Sequence, residues 1–146
     1  MKKLLAAAVM SMGLVSLTHA AAMPKGDATA GEAKAAACAA CHGAGGVSMV
    51  PVNPTLAGQG AKYIYKQLQD FKSGRRGNPI MMGMAMPLAD QDMADLAAYF
   101  SAQQAVVGKA KPELVKLGEK IFRGGNSKTG LAACAGCHNP AGKGNA

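Results

Sequence analysis

Apolar residues recur at helical spacing in three stretches of this chain. Ile64, Leu68 and Phe71 fall at i, i+4 and i+7 between Ala61 and Phe71, with Gly74 just past the end. Met93, Leu96, Ala97 and Phe100 repeat such a stripe between Asp90 and Ala102, and Glu113 to Phe122 carries a third. Ahead of them Asp27 to Cys38 is Ala-rich, has Asp27 placed to cap it, and reads as a further helix. Residues 43–60 mix Gly and Pro with small side chains and read as loop, and the polar, basic stretch from Gln103 to Pro112 reads as a linker. No segment alternates apolar and polar residues as a half-buried strand would. The pattern predicts an all-α protein.

The N-terminus has a different pattern. Lys2 and Lys3 precede an apolar stretch from Leu4 to Leu17, and Thr18-His19-Ala20 closes on a small residue. This is the form of an export signal, expected over residues 1–20 with cleavage after Ala22 as the alternative. A retained membrane anchor is the competing reading, opposed by the short stretch and by Pro24 and Gly26 close behind it. His19 then leaves with the signal and is not counted as a ligand.

Composition changes the picture in one respect. Aromatics are 4% of the 146 residues, with no Trp, and much of the 49% hydrophobic content is Ala. A short chain so poor in large side chains builds a dense core with difficulty, so a non-protein group is expected to fill it. The formal charge of +8 falls to about +6 without Lys2 and Lys3. The basic residues are dispersed, with Arg75-Arg76 and Lys109/Lys111 as the close pairs, which argues against nucleic-acid binding. Lys62, Lys66, Lys72, Arg75 and Arg76 are candidates for a docking face toward an acidic partner, although an ordinary solvated helix face is the preferred reading. No paired carboxylates, nucleophile–base pair or phosphate-binding loop is visible, so no catalytic reaction is expected.

The cysteines carry the chemistry. Cys38-Ala39-Ala40-Cys41-His42 and Cys134-Ala135-Gly136-Cys137-His138 repeat one pentapeptide, Cys-x-x-Cys-His. That is the attachment signature of c-type haem: two thiols one helical turn apart each form a thioether to a vinyl group, and the adjacent imidazole meets the iron. A shared zinc site is disfavoured by the long separation between Cys41 and Cys134, and two local disulfides leave both histidines unexplained. A thioredoxin-like motif wants a βαβ setting that is missing here. Two haems are therefore expected, bound by Cys38, Cys41, Cys134 and Cys137, with His42 and His138 on the irons.

Around the motifs the chain repeats itself. Gly31-Glu32-x-Lys34 precedes the first as Gly118-Glu119-Lys120 precedes the second, with about nine more residues in the second copy. With Asn53-Pro54-Thr55-Leu56-Ala57-Gly58-Gln59, Tyr63 through Gly74, Asp90 through Phe100 and Gly118-Glu119 through Gly124-Gly125, the mature chain resembles the two-haem cytochrome c4 family, tandem class I cytochrome c domains. The resemblance implies a first domain over 23–102, a linker over 103–112 and, since family members are longer, an incomplete second domain over 113–146. It implies that the carbonyl of Pro54 takes the ring N–H of His42. It also implies a distal thioether eight residues ahead of the position that opens the last helix, here Ala89, which points to Met81 with Met84 as the rival. Met82 and Met86 are then packing residues. The family usually has Ser at position 89; Ala cannot cap, so Asp90 is expected to take over with Asp92 in the first turn. Nothing in the sequence supplies a distal Met for the second haem.

The function implied is that of a monomeric periplasmic electron carrier, able to associate peripherally with the inner membrane. Its partners would be a quinol-oxidising complex and a haem–copper terminal oxidase. The alternatives are the cytochrome subunit of a periplasmic oxidoreductase, such as a flavocytochrome sulfide dehydrogenase, and a one-haem protein with a vestigial second motif.

Overall fold

A computed structural model describes residues 22–144, so the expected signal over 1–20 lies outside the described residues. Among the described residues six α-helices form: α1 (Ala28–His42), α2 (Ala61–Lys72), α3 (Pro79–Ala85), α4 (Asp90–Ala102), α5 (Pro112–Gly124) and α6 (Ala135–His138), with a short 3-10 turn at Ala44–Gly46. Among the described residues there is no strand, only an isolated bridge between Asn126 and Leu131.

Asp27 starts α1 as its sequence suggests, its carboxylate accepting from the backbone N–H groups of Thr29 at 2.8 Å and Ala30 at 3.2 Å. The helix runs past the expected end at Cys38 and carries the whole first motif to His42. Gly43 stops it at φ 77°, with its N–H on the carbonyl of Ala39. A side chain there would strike the carbonyl oxygen of Val47.

α1 packs across α4, and α4 also packs on α2, which packs on α3. The α1–α4 crossing is close because it is built from small residues. A Cβ on Gly31 would collide with the carbonyl oxygen of Asp95, and Ala35, Ala94 and Ala97 are buried nearby in the same cluster. Ile64 and Tyr65 of α2 and Met93, Leu96 and Phe100 of α4 complete the core. Full burial of a side chain such as Leu96 stabilises the fold by about 1.5–3 kcal/mol.

A charged residue sits inside this apolar crossing. Asp95 is 3% exposed. It accepts from Lys34 Nζ at 2.5 Å, the Asp27 backbone N–H at 2.9 Å and Gln91 Nε2 at 2.8 Å. The Lys34 ammonium, helped by those two N–H donors, holds its carboxyl down to about 2. Lys34 lies on α1 and Asp27 caps it, so the acid ties α1 and its cap to α4.

Two expectations change. The sequence pattern does not predict α3; Asn78 caps it by accepting from the Met81 N–H at 3.0 Å, and Pro79 fills the first helical position. At α4 the capping residue remains Ala89, and it is Asp92 rather than Asp90 that compensates, accepting from the Ala89 N–H at 2.9 Å. α5 and α6 pack on each other, joined by residues 125–134, and α5 buries none of its residues.

Candidate haem site

His42 is the last residue of α1, so the helix itself delivers the imidazole beside the two motif cysteines. Its Nδ1 lies 2.8 Å from the carbonyl oxygen of Pro54. A carbonyl can only accept, so Nδ1 carries the proton and the lone pair is left on Nε2, the tautomer a metal ligand needs. The loop that presents Pro54 is fixed independently. Asn53 donates to the Cys41 carbonyl at 2.9 Å, and the N–H groups of Leu56 and Ala57 both reach the Gly46 carbonyl.

Cys38, Cys41 and His42 line one cavity of about 370 Å³, walled by Phe71 and Leu96. That lies within the ~300–1,000 Å³ of small-molecule and cofactor sites. Met81 of α3 lines the same cavity and is half-buried, whereas Met84 is 40% exposed and is not part of the lining. Burial pushes the free Cys38 thiol above its ordinary value, and Cys41 is exposed at the rim. Two thiols on one helical turn, an imidazole whose Nε2 lone pair is left free, a thioether and apolar walls are the donor set and shape that haem c requires. The deficit of large core residues is answered by this cavity.

The second motif is placed differently. Cys134 is half-buried, Cys137 and His138 are exposed, and α6 is a single turn. The His138 N–H donates to the Cys134 carbonyl at 2.9 Å, so the local turn of the motif is present.

The proposed docking residues are largely engaged inside the molecule. Lys66 and Arg75 bind Asp70, whose carboxyl these two cations hold below the usual carboxylate range. Lys72 donates to the Leu88 carbonyl, and Arg76 donates to Gln67 Oε1 at 2.5 Å.

Comparison with known proteins decides the family. The cytochrome c family model matches residues 28–104. Cytochrome c4 of Pseudomonas aeruginosa is 52% identical over 144 residues, covering 99% of this chain and 70% of the relative. The chain belongs to the cytochrome c4 family. The crystal structure of reduced recombinant cytochrome c4 from Pseudomonas stutzeri agrees, with a TM-score of 0.73 at 53% identity over 82% of this chain and 68% of that one. A protein of Stutzerimonas stutzeri named thiosulfate dehydrogenase electron acceptor is 39% identical over 115 residues, 75% of this chain and 53% of its own length. Family membership makes the chain a class I cytochrome c in fold, a carrier of covalent haem c and an electron carrier rather than an enzyme.

Proposed function

We propose that the chain is an exported two-haem carrier that passes single electrons in the periplasm, from a quinol-oxidising complex toward a haem–copper terminal oxidase. Cys38 and Cys41 attach the first haem, His42 ligates it through Nε2, and Met81 is the sixth ligand. Cys134 and Cys137 attach the second, with His138 as its ligand. The two haem-bearing regions are 23–102 and 113–146, joined by 103–112. The haem supplies one-electron exchange between ferric and ferrous iron; the chain's part is to bind, orient and exclude water.

The observation that carries this reading is the Pro54–His42 hydrogen bond at 2.8 Å. It fixes ring plane and tautomer before any metal arrives and raises the basicity of Nε2. Met81 then offers a neutral thioether from α3, and Met/His ligation raises the potential into the range of respiratory transfer. Export is supported by the charged, apolar and small-residue order of positions 1–22. Among the described residues no helix is long and apolar enough to cross a membrane.

The test is cofactor load. Mature protein made with intact c-type maturation should keep two haems through acid–acetone extraction and show both added masses in denaturing mass spectrometry. Recovery of the apo-protein mass alone would end the proposal, and one haem would support a vestigial second motif. A second donor is favoured by the likeness to the thiosulfate dehydrogenase electron acceptor. In that reading the protein accepts electrons from a periplasmic dehydrogenase of inorganic sulfur compounds. Rapid reduction by such an enzyme, and not by a quinol-oxidising complex, would select it.

A further inference from the structure

The methionines of the described residues fall into two groups. Met93 is fully buried, Met23 packs against the same core, and Met81 and Met82 are half-buried, with Met81 lining the first cavity. Met49, Met84 and Met86 instead stand 88%, 40% and 58% exposed, and none of the three lines that cavity. Met86 is thus not the packing residue that the family resemblance implies. It lies at the end of α3, where its N–H meets the Met82 carbonyl at 3.0 Å, and the helix is anchored by Ala85, its one buried residue. What distinguishes Met84 and Met86 from the equally exposed Ile80 on the same segment is an oxidisable sulfur, three and five residues from that of Met81.

Oxidation of a thioether to a sulfoxide turns a flexible apolar side chain into a polar one, and susceptibility follows exposure. On an exposed Met the new S=O group faces water and the fold is undisturbed. At Met81 it would face apolar walls, and the soft, neutral donor would be gone. We propose that Met49, Met84 and Met86 are sacrificial oxidation sites, which consume hypohalous acids ahead of the Met81 thioether. The inference rests on the reading that Met81 is the sixth ligand. In the step, the thioether sulfur gives an electron pair to the chlorine of hypochlorous acid, the Cl–O bond breaks, and water then supplies oxygen to sulfur as chloride leaves. Sulfur loses two electrons and chlorine gains two, so one thioether and one hypochlorous acid become one sulfoxide, one chloride and one proton. Methionine sulfoxide reductases reverse the change, so the three sites are renewable.

The experiment adds hypochlorous acid stepwise to the mature holoprotein, maps sulfoxides by peptide mass spectrometry and follows the low-spin His/Met spectrum of the first haem. Met49, Met84 and Met86 should be converted first, with that spectrum intact, and Met81 only afterwards. The triple variant Met49→Leu, Met84→Leu, Met86→Leu keeps side-chain volume and removes the three sulfurs. It should lose the spectrum at a dose at least about twofold lower than the wild type. Adding Val107→Met to that variant restores one thioether at an exposed position and should recover part of the dose, which a merely structural effect would not. Conversion of Met81 in step with the exposed three, a triple variant with the native dose, or haem bleaching while the three stay unoxidised would overturn the proposal. Loss of the His/Met spectrum in the triple variant before any oxidant is added would overturn the Met81 reading instead.

Discussion

Gly43 and Asn139 follow the two motif histidines, and both hold a left-handed backbone, at φ 77° and φ 69°. Asn tolerates a positive φ better than most residues other than Gly. The two copies thus share the pentapeptide and the turn that ends it. Their surroundings differ. His42 is 7% exposed and bound to Pro54, under walls supplied by α2, α3 and α4. His138 is exposed, and the helix ahead of it leaves Leu114 and Leu117 each about half exposed. Attachment is therefore written locally, in five residues. Enclosure is written in elements distant along the chain, and in this chain only the first motif has them among the described residues.

The contrast can be broken by truncating one leucine in each region. Leu96→Ala removes a side chain at 2% exposure from the core and should cost about 2–5 kcal/mol in urea unfolding. Leu117→Ala, at 55% exposure, should stay within about 0.5 kcal/mol. Equal losses would mean that α5 is packed as tightly as α4.

Glycines at matching places in the repeat give a smaller and sharper contrast, because the signs should differ. Gly31→Ala drives a methyl group into the carbonyl oxygen of Asp95 and should destabilise by about 1–3 kcal/mol through helix separation. Gly118 lies inside α5, and a methyl group added there would meet nothing within 4 Å, so Gly118→Ala should stabilise that helix by up to about 1 kcal/mol. Circular dichroism melts of the two holoprotein variants would check both signs.

Acid gives the gentlest probe, and it reports on the first region. The Asp95 carboxyl is held at about 2, below the ~3.9 of an unfolded aspartate. As pH falls from about 4 through about 2 the unfolded chain takes up a proton that the native one refuses, so the stability this group contributes is present above that window and lost across it. Asp95→Asn should lower stability at neutral pH and flatten this part of the acid-unfolding curve. An unchanged slope would remove Asp95 as the source.

How much of this is legible in the sequence follows from where each signal resides. α2 and α4 are readable because their stripes are long and periodic, and the helix bounds at Asp90 and Ala102 agree with the pattern. The His42–Pro54 pair is implied by family resemblance, not by spacing. α3 escapes because seven residues with three Met and no polar face carry no period, although Asn78-Pro79 is a sound start signal. Asp95 escapes for another reason. It lies among the buried residues of α4, and the groups that make its burial tolerable, Lys34 and the Asp27 N–H, belong to another part of the chain. The basic residues on and after α2 read as a solvated helix face or, failing that, a docking face, whereas Lys66 and Arg75 serve Asp70, a partnership visible only in three dimensions.

The central claim is that enclosure, not the motif, separates the two haem sites, and carbon monoxide binding to the reduced, mature holoprotein made from this sequence tests it most directly. With His42 and Met81 on the first iron as proposed, that haem should resist the gas, while the exposed His138 site should bind it, so about half the haem should react. Met81→Ala should raise the reactive share toward all of it, and Met84→Ala should leave it unchanged. Two low-spin, unreactive haems in the wild-type chain, or opening of the first site by Met84→Ala instead of Met81→Ala, would contradict the account.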